Sequence, residues 1–398
     1  MQVKYIDQIP LKGKKVVARF DFNVPLSKDG KNTITDASRI DLSLPTIQYM
    51  LEQGVTSLVL MSHLGRPDGK VNKKYSLEPV AAYLAEKLNQ DVILAEGAVD
   101  TGIKPYLKTQ KAKIILLENL RFSPGEEDND PEFAKKLAEY ADIYVNDAFG
   151  VSHRKHASVH AITHYFKNHT YGGFLIKREV EALNKVLNSP KKPMIAIIGG
   201  AKVSDKIKTI QKLLVTVDHM LIGGAMAYPF LKATGVEVGK SLCSDEDVQL
   251  AKTLLAQDRG NKIQLPVDHV ASEALDGSAK VIESKNIPEK YIGLDIGPQT
   301  IKNYGTLIMK SATILWNGPM GYFENPKFAE GTMSMAKSIS NSKAFSVVGG
   351  GDSVSAVQKS GLADKFSHVS TGGGASLEYI EKGDLPGIQA LRQGVDLT

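Results

Sequence analysis

Short apolar runs rich in Val, Ile and Leu punctuate this chain, and each gives way to polar or glycine residues and then to a helix-like spacing. In the first half they are KVVARF (15–20), SLVLM (57–61), DVILA (91–95), KIILLE (113–118) and DIYV (142–145). In the second half they are PMIAIIGG (193–200), HMLIGG (219–224), ATILW (312–316), AFSVVGG (344–350) and FSHVS (366–370). Runs that stay apolar rather than alternating suit strands buried on both faces, and strands alternating with helices build parallel sheets. Two such sets predict an α/β protein of two domains with parallel sheets.

The division falls in YGGFLIKREVEALNKVLNSPKKP (171–193). Gly172 and Gly173 break the chain. Phe174, Leu175, Val180, Leu183, Val186 and Leu187 then follow helical spacing, and Pro190 and Pro193 end it. The spacing predicts a long helix joining two domains, although it also suits one more helix of a single large domain.

Composition narrows the class. The chain has 398 residues, 42% apolar and 23% charged, with a net charge of +5. That mild balance permits an anionic substrate, and the absence of long Lys/Arg runs argues against nucleic-acid binding. The single cysteine, Cys243, excludes an intrachain disulfide framework and suits a reducing compartment. The opening MQVKYIDQIP is polar, and no apolar run approaches the ~20 residues that span a bilayer. The expectation is a soluble cytoplasmic protein.

In open parallel sheets ligands bind beyond the carboxyl ends of the strands, so the loops that follow the apolar runs are where chemistry is sought. In the first half they hold Asp21 and Asn23 (RFDFNVP), His63 and Arg66 (SHLGRP), Arg121 (ENLRF), and Asn146 and Asp147 (VNDAFG), with Arg154 and His156 close behind in SHRKHAS. Arginine suits carboxylate and phosphate because its planar fork bonds two oxygens at once. In the second half the loops are glycine-rich: GGAKVSDK, GGAMA, WNGPMG, GGGDS and TGGGAS. Glycines let backbone N–H groups approach phosphate oxygens. Lys202 and Lys206 are four apart and would share a face if helical. Asp352 is a candidate ligand for a hard divalent cation. Neither a Walker loop nor a dinucleotide fingerprint is present. A cationic pocket in one half and a glycine-lined pocket in the other point to phosphoryl transfer across a cleft.

The motifs RFDFNVP, MSHLGRP, LLENLRF, VNDAFG, GGAKVSDKI, GLDIGP, WNGPMGYFE, GGGDS and STGGGASLE together closely resemble the phosphoglycerate kinase family, in family order from about 14 to 378. The resemblance implies two Rossmann-like domains joined by a helix, with the active site in the interdomain cleft. It implies a 3-phosphoglycerate-binding domain at 1–171, an interdomain helix at 172–189, a nucleotide-binding domain at 190–378, and a C-terminal segment, 379–398, returning to the first domain. The implied reaction is reversible phosphoryl transfer between ATP and 3-phosphoglycerate, giving ADP and 1,3-bisphosphoglycerate, by a cytoplasmic, hinge-bending monomer of glycolysis.

Residue by residue, the resemblance assigns the acid pocket to Asp21, Asn23, Arg39, His63, Leu64, Gly65, Arg66, Arg121 and Arg154. It assigns stabilisation of the transferring group to Arg39 and Lys202. Nucleotide contacts fall to Lys206, Gly223, Gly224, Gly293, Leu294, Asn317, Pro319, Glu324, Gly349, Gly350, Gly351, Asp352 and Ser353, with Mg²⁺ on Asp352. Ser123, Ser152, Lys155, Val159 and His160 depart from the family pattern beside these arginines. Two other readings are a nicotinamide-dependent dehydrogenase and a non-catalytic nucleotide- or RNA-binding protein. The missing dinucleotide fingerprint weighs against the first, and intact Arg39, Lys202 and Asp352 against the second.

Overall fold

In the computed structural model, which describes residues 2–29, 32–99, 102–103, 105 and 114–397, the chain forms two compact units. The first is built from Met1–Val180 and Asp384–Thr398, the second from Glu181–Gly383.

The first unit carries a six-stranded parallel sheet. Its strands are β1 (Lys15–Arg19), β2 (Ser57–Met61), β3 (Val92–Leu94), β4 (Ile114–Leu116), β5 (Ile143–Asn146) and β6 (Thr170–Gly172), in the order β3-β4-β2-β1-β5-β6. The apolar run at 113–118 begins at Lys113, outside the described residues. Val16, Val17, Leu58, Val59 and Val145 are all fully buried. Each such side chain contributes about 1.5–3 kcal/mol on burial, so the strands stay apolar along their length and turn polar only where they end. Those carboxyl ends coincide: Arg19 registers with Met61 on one side and Asn146 on the other.

The second unit repeats the plan with β7 (Met194–Ile198), β8 (His219–Ile222), β9 (Ile263–Gln264), β13 (Thr313–Asn317), β14 (Phe345–Gly349) and β15 (His368–Val369), ordered β15-β14-β13-β7-β8-β9. A separate antiparallel sheet of β10 (His269–Ser272), β11 (Lys280–Ile282) and β12 (Ile292–Ile296) belongs to the same unit. The chain moves outward from β7 through β8 to β9, then returns to the other side of β7 as β13. This reversal is a topological switch point, where open α/β sheets place ligands. Asn317 registers with Ile198 on one side and Gly349 on the other.

The helix over 171–193 runs Phe174–Asn188, and Val180 and Glu181 within it fall to different units. Its start is held by buried Asp147, whose Oδ1 accepts the Leu175 and Ile176 N–H groups at 2.8 and 3.1 Å. The return to the first unit comes at Asp384 rather than at 379. Helix Gly374–Lys382 packs in the second unit, where the Tyr379 hydroxyl donates to Asn184 Oδ1 and Thr209 donates to Glu381. Among the described residues, no helix is long and apolar enough to cross a membrane.

Candidate active site

In the first unit the loops after β1, β2 and β4 are tied into one constellation. Arg39, in the first turn of helix Ser38–Glu52, pairs with Asp21 Oδ2 at 2.8 Å. Gly65 adopts a φ of +61°, a conformation that L side chains rarely reach, and so presents both backbone groups. Its N–H donates to Asn23 Oδ1 at 2.9 Å, and its carbonyl accepts from Arg121 Nη1 at 2.9 Å. Leu64 contributes a carbonyl that accepts the Asn119 amide at 2.7 Å. Asp21, Asn23, Arg39, Leu64, Gly65 and Arg121 are thus brought together. Arg66 and Arg154 are solvent-exposed, and the charge of Arg154 is felt at both Arg121 and His156.

Beneath this surface lies a buried layer that the sequence patterning did not single out. Arg19, only 1% exposed, donates from Nε to Ser158 Oγ at 2.8 Å, from Nη1 to the Phe20 carbonyl, and from Nη2 to His63 Nδ1 at 3.1 Å. Glu126, fully buried, accepts from Ser158 Oγ at 2.6 Å and Ser158 N at 3.0 Å. Burial pushes the Glu126 carboxyl up and nearby Arg19 opposes it. Burial, then the charges of Arg19, Arg121, His156 and Arg39, hold His63 well below the ordinary histidine range. Burial likewise brings His156 down to about 3. Both rings are therefore neutral near pH 7, so the cations of this site are its arginines.

Asn146 and Asp147, read from the sequence as site candidates, serve the backbone instead. Asn146 Oδ1 accepts Ala148 N at 2.9 Å, and Asp147 caps the helix at Phe174–Asn188. Of the unusual residues, Ser152 is buried, and its carbonyl accepts Gly387 N at 2.8 Å in the returning segment. His160 Nδ1 meets the Asn129 amide at 3.2 Å. Neither contact involves the arginines.

In the second unit the switch point holds Lys206. Its Nζ donates to the Gly199 carbonyl at 2.6 Å and to Asn317 Oδ1 at 2.5 Å, while Asn317 Nδ2 donates to the Gly349 carbonyl at 2.9 Å. The ends of β7, β13 and β14 are thereby fastened around one ammonium. Burial lowers its pKa to about 8, with Asp352 and Asp205 opposing. Gly350 precedes helix Gly351–Lys359, whose first turn carries exposed Asp352 and buried Ser353. Ser353 Oγ accepts Gly318 N at 2.5 Å. Gly224 lies at φ +68°, where a Cβ would sit 2.6 Å from Gly200 N and 2.8 Å from the Pro319 carbonyl. Gly223 is similarly closed by Met320, at 2.5 Å from its sulfur.

Gly293 and Leu294 come from β12 in the antiparallel sheet. Gly293 N donates to Ser241 Oγ at 2.9 Å, and the Leu294 carbonyl accepts Tyr322 N at 2.7 Å, beside exposed Glu324. Lys202 and Lys206 do not share a helical face, because the helix begins at Ile207 and both occupy the loop before it. Lys202 is exposed; Lys206 turns inward. Among the described residues no group of three or more His, Cys, Asp or Glu could hold a metal. A single carboxylate such as Asp352 fits a cation that arrives on a nucleotide and takes its other ligands from phosphate and water.

A cavity of about 760 Å³ elsewhere in the first unit contains none of these residues. Its lining mixes Lys4, Lys167 and Arg392 with Asp396 and shows no such constellation.

One parallel α/β unit that presents arginines and another that arranges glycines and a lysine around a switch point define a two-domain enzyme of the phosphotransferase class. Comparison with known proteins specifies it. The family signature described as "Phosphoglycerate kinase" matches residues 6–383. The chain is 49% identical over 398 residues to a phosphoglycerate kinase of Anaeromyxobacter sp. (strain Fw109-5), covering 98% of this chain and 100% of that one. It is 49% identical to the Bdellovibrio bacteriovorus protein of the same name over 395 residues, covering 98% and 97%. The phosphoglycerate kinase structure from Coxiella burnetii superposes with a TM-score of 0.87 at 39% identity, over 98% of both chains. That from Pyrococcus horikoshii OT3 gives 0.81 at 34% identity, again over 98% of both. The chain belongs to the phosphoglycerate kinase family. It is accordingly a kinase of glycolysis, an enzyme moving a phosphoryl group between ATP and 3-phosphoglycerate, and the dehydrogenase and RNA-binding readings are set aside.

Proposed function

We propose that the first unit holds 3-phosphoglycerate on Arg39, Arg66, Arg121 and Arg154, oriented through Asp21, Asn23, His63, Leu64 and Gly65, and that the second unit holds the nucleotide. The observation that carries the nucleotide half is the fastening of three strand ends around Lys206 by Asn317 and Gly349. Gly223, Gly224, Gly293, Leu294, Pro319 and Glu324 then surround the nucleoside, and the backbone of Gly349 to Ser353 cradles its phosphates.

The attacking group of 3-phosphoglycerate is a carboxylate, already ionised at pH 7, so no general base is required. The neutral state of His63 and His156 accords with that. The barrier is electrostatic, an anion approaching an anion, and is lowered by cations placed around the transferring oxygens. Arg39 keeps one nitrogen on Asp21 and offers the rest of its fork, while Lys202 projects from the loop before Ile207. Asp352 would hold the Mg²⁺ that accompanies ATP, and the ion would add charge neutralisation at the phosphates. Transfer requires reacting atoms about 3–3.5 Å apart with water kept out. Hinge closure at the helix Phe174–Asn188 and the glycine loop 370–376 would meet both demands.

The reading takes the chain as a cytoplasmic monomer that needs no nucleic acid. The mild net charge of +5 and the single, free cysteine support it. In a coupled assay the protein should consume ATP only when 3-phosphoglycerate and Mg²⁺ are both present. Equal turnover without the acid would overturn the assignment.

A further inference from the structure

The buried layer under the arginines has a chemical polarity of its own. Arginine carries donors and no acceptor. Because Arg19 Nη2 meets His63 Nδ1 at 3.1 Å, that ring nitrogen must be the unprotonated one. The proton of the neutral ring then sits on Nε2, the ring's only donor. Arg19 is oriented from behind in the same way. Ser158 Oγ accepts from Arg19 Nε, so the hydroxyl hydrogen is free to go to Glu126 Oε1, and Ser158 N–H satisfies Glu126 Oε2. Each of these hydrogen bonds therefore has one direction.

We propose that Glu126 and Ser158 are positioning residues of the acid site, holding Arg19 so that it fixes His63 in the Nε2–H tautomer. This rests on the reading of the first unit as the half that binds 3-phosphoglycerate. His63 then meets the acid as a neutral hydrogen-bond donor rather than as a titrating cation.

The surroundings agree from every side. His63 is only 2% exposed. The titratable groups that face it are the charged Arg19 from β1, Arg121 from the loop after β4 and Arg39 from the helix Ser38–Glu52, and the neutral His156 from the segment after β5. All three arginines oppose a positive charge on the ring, and the Arg19 contact alone selects the tautomer. Two buried acids act on Arg19: Asp21, which pairs with Arg39 at 2.8 Å, and Glu126, which lies 4.0 Å from Arg19 Nη2 and from His156 Nδ1 and has both oxygens occupied by Ser158.

The first measurement is on the unmodified protein. Long-range ¹H–¹⁵N correlation of the histidine rings, with His63 assigned by its loss in His63→Gln, should show Nδ1 unprotonated and Nε2 protonated from pH 6 to 8. An imidazolium, or a proton on Nδ1, would overturn the proposal whatever ligand the site takes. The second measurement is kinetic. Ser158→Ala should raise KM for 3-phosphoglycerate roughly tenfold, the scale of one charge-assisted hydrogen bond, with KM for ATP unchanged. It should also give a His63 ring that populates both tautomers and titrates, while Ser158→Thr, which keeps the hydroxyl, should restore the parent values. A folded Ser158→Ala protein with the parent tautomer and KM, or one with both KM values raised alike, would remove Ser158 and Glu126 from this role. If Ser158→Ala does not fold, the ring measurement on the parent decides. Failure of the underlying reading looks different: the parent would then consume ATP independently of the acid.

Discussion

The Lys206 ammonium donates to the Asn317 side-chain carbonyl across 2.5 Å, and the Asn317 amide donates onward to Gly349. One neutral side chain thus links a cation to the glycine loop proposed to hold the nucleotide phosphates. Asn317→Ala should therefore weaken MgADP binding by roughly 10- to 100-fold, the scale of a hydrogen bond to a charged group, and leave 3-phosphoglycerate affinity unchanged. Isothermal titration with each ligand measures both. An unaltered Kd for MgADP would show that Lys206 needs no such support.

The cations assigned to the transferring group are not structural. Arg39 has a side chain 41% exposed, and Lys202 is exposed in a loop. Arg39→Ala and Lys202→Ala should each cut kcat by roughly 10³-fold or more, as removal of a transition-state cation does. Circular dichroism and melting temperature should stay near the parent. Turnover close to normal in either variant would relocate the electrostatic work.

Gly224→Ala tests the tight approach at the end of β8. The position has φ +68°, and its Cβ would lie 2.6 Å from a backbone nitrogen that cannot rotate away. The left-handed conformation alone costs about 1–2 kcal/mol, and the steric overlap adds to it. A urea titration should show a loss of at least about 2 kcal/mol. A smaller loss would mean that the Gly200 and Pro319 backbones move apart readily.

Trp316 is the chain's one tryptophan and is fully buried. Its indole N–H donates to the Gly318 carbonyl at 2.8 Å, and its ring stacks on Phe366 at 6.3 Å between centroids. Because Gly318 N in turn donates to Ser353, any ligand that reshapes the loop 349–353 pulls on the indole's partner. MgADP should alter the fluorescence, and NAD⁺ should not. Silence at saturating MgADP would uncouple this loop from nucleotide binding.

Asp295 gives a signed dependence on pH. Its oxygens accept Gly331 N at 2.7 Å and Ile296 N at 2.9 Å, and burial pushes its carboxyl up to about 8. The helix beginning at Glu330 favours the anion by about 0.3–1 kcal/mol, less than the several kcal/mol that burial of an ion costs. The folded pKa lies above the unfolded one, so the stabilisation is full below about pH 4 and is lost as pH rises through about 8. The stability difference between parent and Asp295→Asn should shift toward the variant between pH 5 and 8.5. Parallel denaturation midpoints across that range would refute the shift.

The sheets were legible because their strands are apolar without alternation, a pattern that burial on both faces demands. Five strands escaped notice. β6 is the triplet Thr170–Gly172, β9 is two residues long, and β10 to β12 are short and interrupted by polar positions, so no run stands out. The loop arginines announced themselves by residue type. Arg19 did not, since it closes an apolar run and reads as a strand's solvated tip. Glu126 sits in PGEEDND, which looks like a hydrated acidic stretch. Only the fold brings Ser158 to Arg19 from 139 positions away. Asp147 misled for the opposite reason: its place at a strand end suggested chemistry, whereas its oxygen serves two amides of the next helix.

The first unit is assembled from both ends of the chain, and this has a consequence for how the protein is made. Thr170 Oγ1 bonds the Leu391 carbonyl at 2.9 Å, His164 Nδ1 meets the Val395 carbonyl at 2.8 Å, and Gly387 N donates to Ser152. Translation proceeds from the amino terminus, and domains generally fold in the order they emerge. Here residues 181–383 form an uninterrupted unit that takes no segment from elsewhere in the chain. The unit that begins first is not finished until residues 384–398 have been added. A chain truncated before Asp384 should therefore carry a protease-resistant second unit and a protease-sensitive first one, and acid binding should appear only when residues 384–398 are present.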